Sequence, residues 1–184
     1  MHVLDPKKNA AFEFCEAELY LAYKEGKLVG RVAAIINHKA NKQWDTKAVR
    51  FGWIDFIDDI EVSRALLDAV GNYGKAHGMD NIIGPLGFTD MDPEGMLTDG
   101  FDQLGTMATL YNYPYYPRHM QELGGWEKDN DYVEYKLIVP KEMPEKYMKV
   151  AQMIEKRYDL HVRAMTRREI FKDGYGHKVF EVIN

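Results

Sequence analysis

The chain has 184 residues, 46% hydrophobic and 12% aromatic, enough to bury the core of one main domain and too apolar for disorder to dominate. Its 24 basic and 29 acidic side chains leave a formal net charge of −5, which argues against nucleic acid as a partner because phosphate binding needs a basic surface. No apolar run reaches the length of a membrane span, the opening MHVLDPKKNAAFEF has no hydrophobic signal core, and the lone Cys15 excludes an intrachain disulfide framework, so a cytoplasmic protein without a membrane partner is expected.

In chain order, AELYLAYKEGKLVGRVAAIINH reads as a hairpin turning at Glu25-Gly26, with Leu19, Leu21 and Tyr23 alternating before the turn and Val32, Ala34 and Ile36 after it. KQWDTKA is a polar connection. VRFGWIDFID is apolar on both alternating faces, which predicts a central strand. Between Asp59 and His77 the residues Val62, Leu66, Ala69, Val70 and Tyr73 share a helical stripe that Gly78 stops. NIIGPLGF returns as a short strand, so a parallel crossover is expected. After an acidic, glycine-rich loop, TMATLYN is a weaker strand and YYPRHMQELGG a short helix. DYVEYKLIV is a strand by its alternation, PEKYMKVAQMIEKRY an amphipathic helix, LHVRAMTRREI a further strand, and HKVFEVIN the beginning of a helix. The expected fold class is α/β (α+β), a mixed twisted sheet with flanking helices.

The order hairpin, central strand, helix, strand, helix, strand resembles the GNAT acyltransferase superfamily from about Glu13 to Val139. YNYPYYPRHMQELGGWEKDNDYVEYKL is similar to the last helix and strand of that fold, with Asn112 opening the helix and Gly125-Trp126 closing it. VGRVAAIIN, RFGWIDFIDD, GPLGFTDMDPEGMLTDGFD and YNYPYYP look like the middle of a group of longer, uncharacterised bacterial proteins of that superfamily. The resemblance implies a GNAT-like domain over residues 1–140 and a helix-strand extension over 141–184, and a fragment or compact relative of the longer proteins. It also implies transfer of an acyl group from coenzyme A to a small-molecule amine or a peptide. The family's diphosphate loop, glycine-rich between central strand and helix, is replaced here by FIDDIEVSRALL, where Asp58, Asp59 and Glu61 would meet an anion with like charge. No cofactor is therefore expected on this chain alone, and acetyl-CoA or another acyl-CoA follows from the resemblance only. A non-catalytic module of the same shape, binding a small cationic or peptide ligand or a protein partner, is the alternative.

Among candidate site residues, Asp55 falls by alternation on the face of Phe51, Trp53 and Ile57. A buried carboxylate there is either a general base desolvated by Trp53 or a structural partner of Arg31 or Arg50. The resemblance puts the family's general-acid tyrosine where Gln121 stands, and Tyr116, with Tyr115 beside it, lies earlier, at the helix entry. Asp90, Asp92 and Glu94 follow the carboxyl end of a sheet strand, where open α/β sheets place ligands, and would favour a cationic ligand together with Asn112 and Tyr115. DMDPEGMLTDGF comes near a calcium loop, but Phe101 stands where the bidentate Glu belongs and Pro93 stiffens the fourth place. The six histidines have no paired ligand spacing, so no metal is expected.

Overall fold

A computed structural model describes residues 2–107 and 109–183 and divides the chain into two compact units, Met1–Asp129 and Asn130–Asn184. The first is a mixed α+β unit around a four-stranded sheet. β1 (Cys15–Lys24) and β2 (Lys27–Asn37) form the expected hairpin, and β3 (Ala48–Phe56) pairs antiparallel with β2. β4 (Asn81–Ile83) pairs parallel with β3 through Ala48, Val49 and Arg50 alone. The hairpin turn holds Glu25 at φ 52 and Gly26 at φ 75, the two positive values a tight two-residue turn demands.

From the end of β2 into the start of the polar connection runs a short helix, α1 (His38–Gln43), which the sequence reading passed over. Asn37 starts it by accepting from the Ala40 amide at 2.8 Å, while its own amide donates to the Phe88 carbonyl at 2.8 Å. α2 (Ile60–Ala76) then crosses from β3 to β4, and His77 and Gly78 end it.

β2 is covered on both faces over its carboxyl half. Val32, Ala34 and Ile36, with Val49 and Phe51 of β3, pack on Val62, Leu66, Leu67 and Val70 of α2. Ala33 and Ile35 face the other way, into a cluster with Ala11, Cys15 and Phe88. Tyr20 pairs opposite Val32 and rests on the first cluster, so Leu19 and Leu21 fall on the second face, beyond that cluster, at 50% and 56% exposure. α3 (Tyr115–Leu123) follows the long loop and packs against α2.

The second unit holds α4 (Glu145–Tyr158), α5 (Arg167–Phe171) and α6 (Tyr175–Ile183). DYVEYKLIV is not a strand: its residues are exposed and pair with no ladder, and alternation becomes a strand only where a neighbour supplies hydrogen bonds. LHVRAMTRREI is likewise unpaired. A capping box fixes the start of α5 instead, with Glu169 accepting from the Thr166 amide at 2.8 Å and Thr166 accepting from the Glu169 amide at 3.3 Å. TMATLYN forms no strand among its described residues, and Ala108 within it lies outside them. No helix among the described residues is long and apolar enough to cross a membrane.

Candidate functional site

The site grows from an irregularity in β3. Ala33 pairs with Gly52 and Arg31 with Asp55, so Trp53 and Ile54 together stand opposite Val32. The extra residue is a β-bulge, a feature common beside active sites, and it holds Trp53 at φ 47, a conformation costly for a bulky side chain. The chain after β4 turns across the same place. The Leu86 amide donates to the Phe51 carbonyl at 2.8 Å, and the Leu86 carbonyl lies where a Cβ on Gly52 would stand. Because β4 pairs no further than Arg50, the carboxyl end of β3 keeps a free edge.

Two tyrosines of α3 close that edge. The Tyr116 hydroxyl accepts from the Phe56 amide at 3.2 Å and donates to Asp55 Oδ1 at 2.5 Å. The Tyr115 hydroxyl donates to the Phe56 carbonyl at 2.7 Å. The amide and carbonyl of Phe56, which pairs with Gly30 on its other side but is beyond the reach of β4, are thereby satisfied. Burial, and then the Asp55 carboxylate, hold the phenolic proton of Tyr116 far more tightly than an ordinary tyrosine holds its own. Tyr116 is accordingly a hydrogen-bond donor at neutral pH and not a base.

Asp55 departs from the sequence expectation. The bulge moves the alternation by one, its side chain is 62% exposed, and Trp53 packs on Phe88 at 5.5 Å between ring centres. Trp53 does not enclose the carboxylate. Arg31 approaches Asp55 Oδ2 only to 3.9 Å, while Arg50 donates to the carbonyls of Gly87 and Phe88 at 3.1 and 3.2 Å.

The β3–α2 turn carries the acids that the sequence showed, each with a cation beside it. Asp59 caps α2 by accepting from the Glu61 amide at 3.0 Å, and Lys24 donates to Asp59 at 2.7 Å and to Glu61 at 3.1 Å. Hydrogen bonds from Lys24 and from the Glu61 amide draw the Asp59 carboxyl below its ordinary value. Asp58 accepts from Arg118 and, at 2.9 Å, from His119 Nε2, and those bonds lower its carboxyl too. His119 Nδ1 is 3.0 Å from Ser63 Oγ. Sequence reasoning missed this network, whose members lie dozens of residues apart and match no local motif.

The other candidate residues are placed elsewhere. Asp92 accepts from the Thr89 amide at 3.1 Å and lies against Gly87, while Asp90 and Glu94 are exposed. Asn112 does not cap α3: it accepts from the Leu97 amide at 2.6 Å and donates to the Leu97 carbonyl at 3.1 Å. The structure thus brings Asp55, Tyr115 and Tyr116 together at Phe56, leaves Asp90 and Glu94 exposed on their loop, and engages Asn112 with the loop backbone.

No family model and no solved structure matches the chain. It is 27% identical over 178 residues to Protein YghO of Escherichia coli K12, an alignment covering 92% of this chain and 46% of that protein. It is 28% identical over 184 residues to the bacterial ceramide synthase of Caulobacter vibrioides, covering 94% of this chain and 47% of that enzyme. The chain is thus related to these bacterial proteins and spans about half the length of each.

Proposed function

We propose that the chain is part of an N-acyltransferase of the GNAT type, in which Asp55 and Tyr116 handle the proton of the attacking amine. The observation that carries this reading is the Tyr116 to Asp55 hydrogen bond at the bulged carboxyl end of β3, beyond the reach of β4. The name of the Caulobacter relative supports it: a ceramide synthase makes ceramide, and a ceramide is an amide of a long-chain amino alcohol. In the reaction, an amine nitrogen bonds to the acyl carbon of a thioester, the C–S bond breaks, and the sulfur leaves as a thiolate that then takes a proton from water. Asp55 takes the proton that the amine loses, and Tyr116, bound to Oδ1, leaves Oδ2 for the substrate. Exposed Asp90 and Glu94 give their loop a negative outer surface suited to a cationic acceptor.

The donor is acetyl-CoA or another acyl-CoA, bound without the usual seat for its diphosphate. At the start of α2 the Glu61 amide is taken by Asp59, and the pair Asp59 and Glu61 holds Lys24. That same observation favours the second reading, a module that binds a small cationic or peptide ligand, or a protein partner, without transfer chemistry. Thiol release from acyl-CoA donors of different chain length, measured against primary amines from ethanolamine to long-chain amino alcohols, separates the two. Amine-dependent release that Asp55→Asn abolishes supports the transferase. A thermal shift with amines but no release with any donor supports the binding module, since a ligand at a hundred times its Kd adds about 2.7 kcal/mol.

A further inference from the structure

His119 is a buried titratable side chain that this mechanism does not use. It is 2% exposed, with Nε2 on Asp58 at 2.9 Å, Nδ1 on Ser63 Oγ at 3.0 Å, and its ring stacked 5.4 Å from Phe56. Ser63 is fully buried and also reaches the Ile60 carbonyl at 3.1 Å. One imidazole therefore joins α3 to the β3–α2 turn through Asp58 and to the first turn of α2 through Ser63. The single Ser63 hydroxyl proton serves either the Ile60 carbonyl or Nδ1, and in both arrangements the two ring nitrogens are bonded and the plane of the ring is fixed.

The consequence lies three residues back. Tyr116 and His119 share a face of α3 at i and i+3, and both rings stack on Phe56, at 4.1 and 5.4 Å. A roll or slide of α3 that broke the imidazole bonds would carry the Tyr116 hydroxyl away from Asp55. Packing alone would be served by an apolar ring in this slot. Two hydrogen bonds to two other elements specify a direction as well as a volume. We propose that His119 is a positioning residue, whose bonds to Asp58 and Ser63 set the roll of α3 and thereby hold the Tyr116 hydroxyl on the Asp55 carboxylate. The proposal rests on Asp55 and Tyr116 being the proton-handling pair, but its test needs no turnover.

The test is NMR on the whole chain, labelled with 13C at tyrosine Cζ and with Tyr116 assigned from Tyr116→Phe. His119→Phe is expected to move the Tyr116 Cζ resonance and to speed exchange of its hydroxyl proton about tenfold or more, because exchange reports local opening. His119→Gln, whose amide reaches Asp58, is expected to recover part of both. Ile35→Ala, in the cluster on the other face, weakens the fold and leaves the resonance in place. A folded His119→Phe with the wild-type resonance and exchange rate overturns the proposal. Should His119→Phe fail to fold, Ser63→Ala and Asp58→Ala each remove one of the His119 bonds, the latter together with the Arg118 pair, and a Tyr116 signal unchanged in both overturns it equally. Loss of acyl transfer as a function, with the resonance still responding to His119, rejects the transferase reading alone. Turnover with an unresponsive resonance rejects the positioning role alone.

Discussion

Asp55 shows how one backbone angle moves a functional group. Strict alternation in FGWIDF places it beside Phe51 in the core, yet φ 47 at Trp53 inserts a residue and brings the carboxylate to the surface, within reach of both Tyr116 and solvent. The residue type was legible in the sequence. The bulge was not, because a tryptophan gives no local signal for a left-handed conformation. In the transferase assay, Asp55→Asn is expected to lower kcat by about a hundredfold or more while keeping the fold, as loss of a general base does. Tyr116→Phe is expected to cost stability as well, roughly 1 to 3 kcal/mol by urea unfolding, because the buried Phe56 amide loses its acceptor. Cys15 carries a pH dependence of its own. Burial raises its thiol from 9.0 to about 11, so the folded state keeps a proton that the unfolded state gives up between those values. The stability it contributes is complete below pH 9 and is lost as pH rises toward 11. Cys15→Ala is expected to flatten the fall in stability across that window, measured by denaturant unfolding at successive pH values.

At the scale of elements, the sequence was most legible where period and punctuation agreed. The stripe from Val62 to Tyr73, closed by Gly78, became α2 within a residue of its expected ends, and the parallel pairing of β3 with β4 followed. It was least legible where a pattern needed a partner. Tyr132 to Val139 alternate like a strand and stay unpaired, whereas the short-range signal Thr166-x-x-Glu169, which does fix a local structure, was read as part of a strand. The contact between α2 and β3 supplies a test that separates helix propensity from packing. At Gly74 a Cβ would stand 2.5 Å from Val49 Cγ1, while at Gly71 it would meet only the tip of Ile82 at 3.2 Å. Alanine is favoured over glycine inside a helix by about 1 kcal/mol, so Gly71→Ala is expected to be neutral or stabilising. Gly74→Ala is expected to lose roughly 1 to 3 kcal/mol through overpacking. Combining Gly74→Ala with Val49→Ala should then cost less than the two separate losses added together, because the second change removes the clash that the first creates.

Across the whole molecule, the two units differ in what holds them. Both buried clusters, every strand and the Asp55–Tyr116 site belong to Met1–Asp129. Within 130–184 no described residue is buried, and Leu137, Val162 and Val182 are more than four-fifths exposed. Its helices have 14, 5 and 9 residues, and isolated helices shorter than about 12 to 15 residues are marginal in water, since nucleation costs more than a few turns return. The second unit therefore draws little stability from its own interior, although capping of α5 and the Glu145–Lys149 pair on α4 give it local order. Two expectations follow from that contrast. Limited proteolysis is expected to remove the region beyond Asp129 first and to leave a fragment that unfolds cooperatively with urea. A peptide of residues 130–184 is expected to show weak helical circular dichroism that fades gradually on heating, without a transition. Equal protection of the two units, or a cooperative melt of the isolated peptide, would show that burial within 130–184 is greater than its exposed apolar side chains indicate.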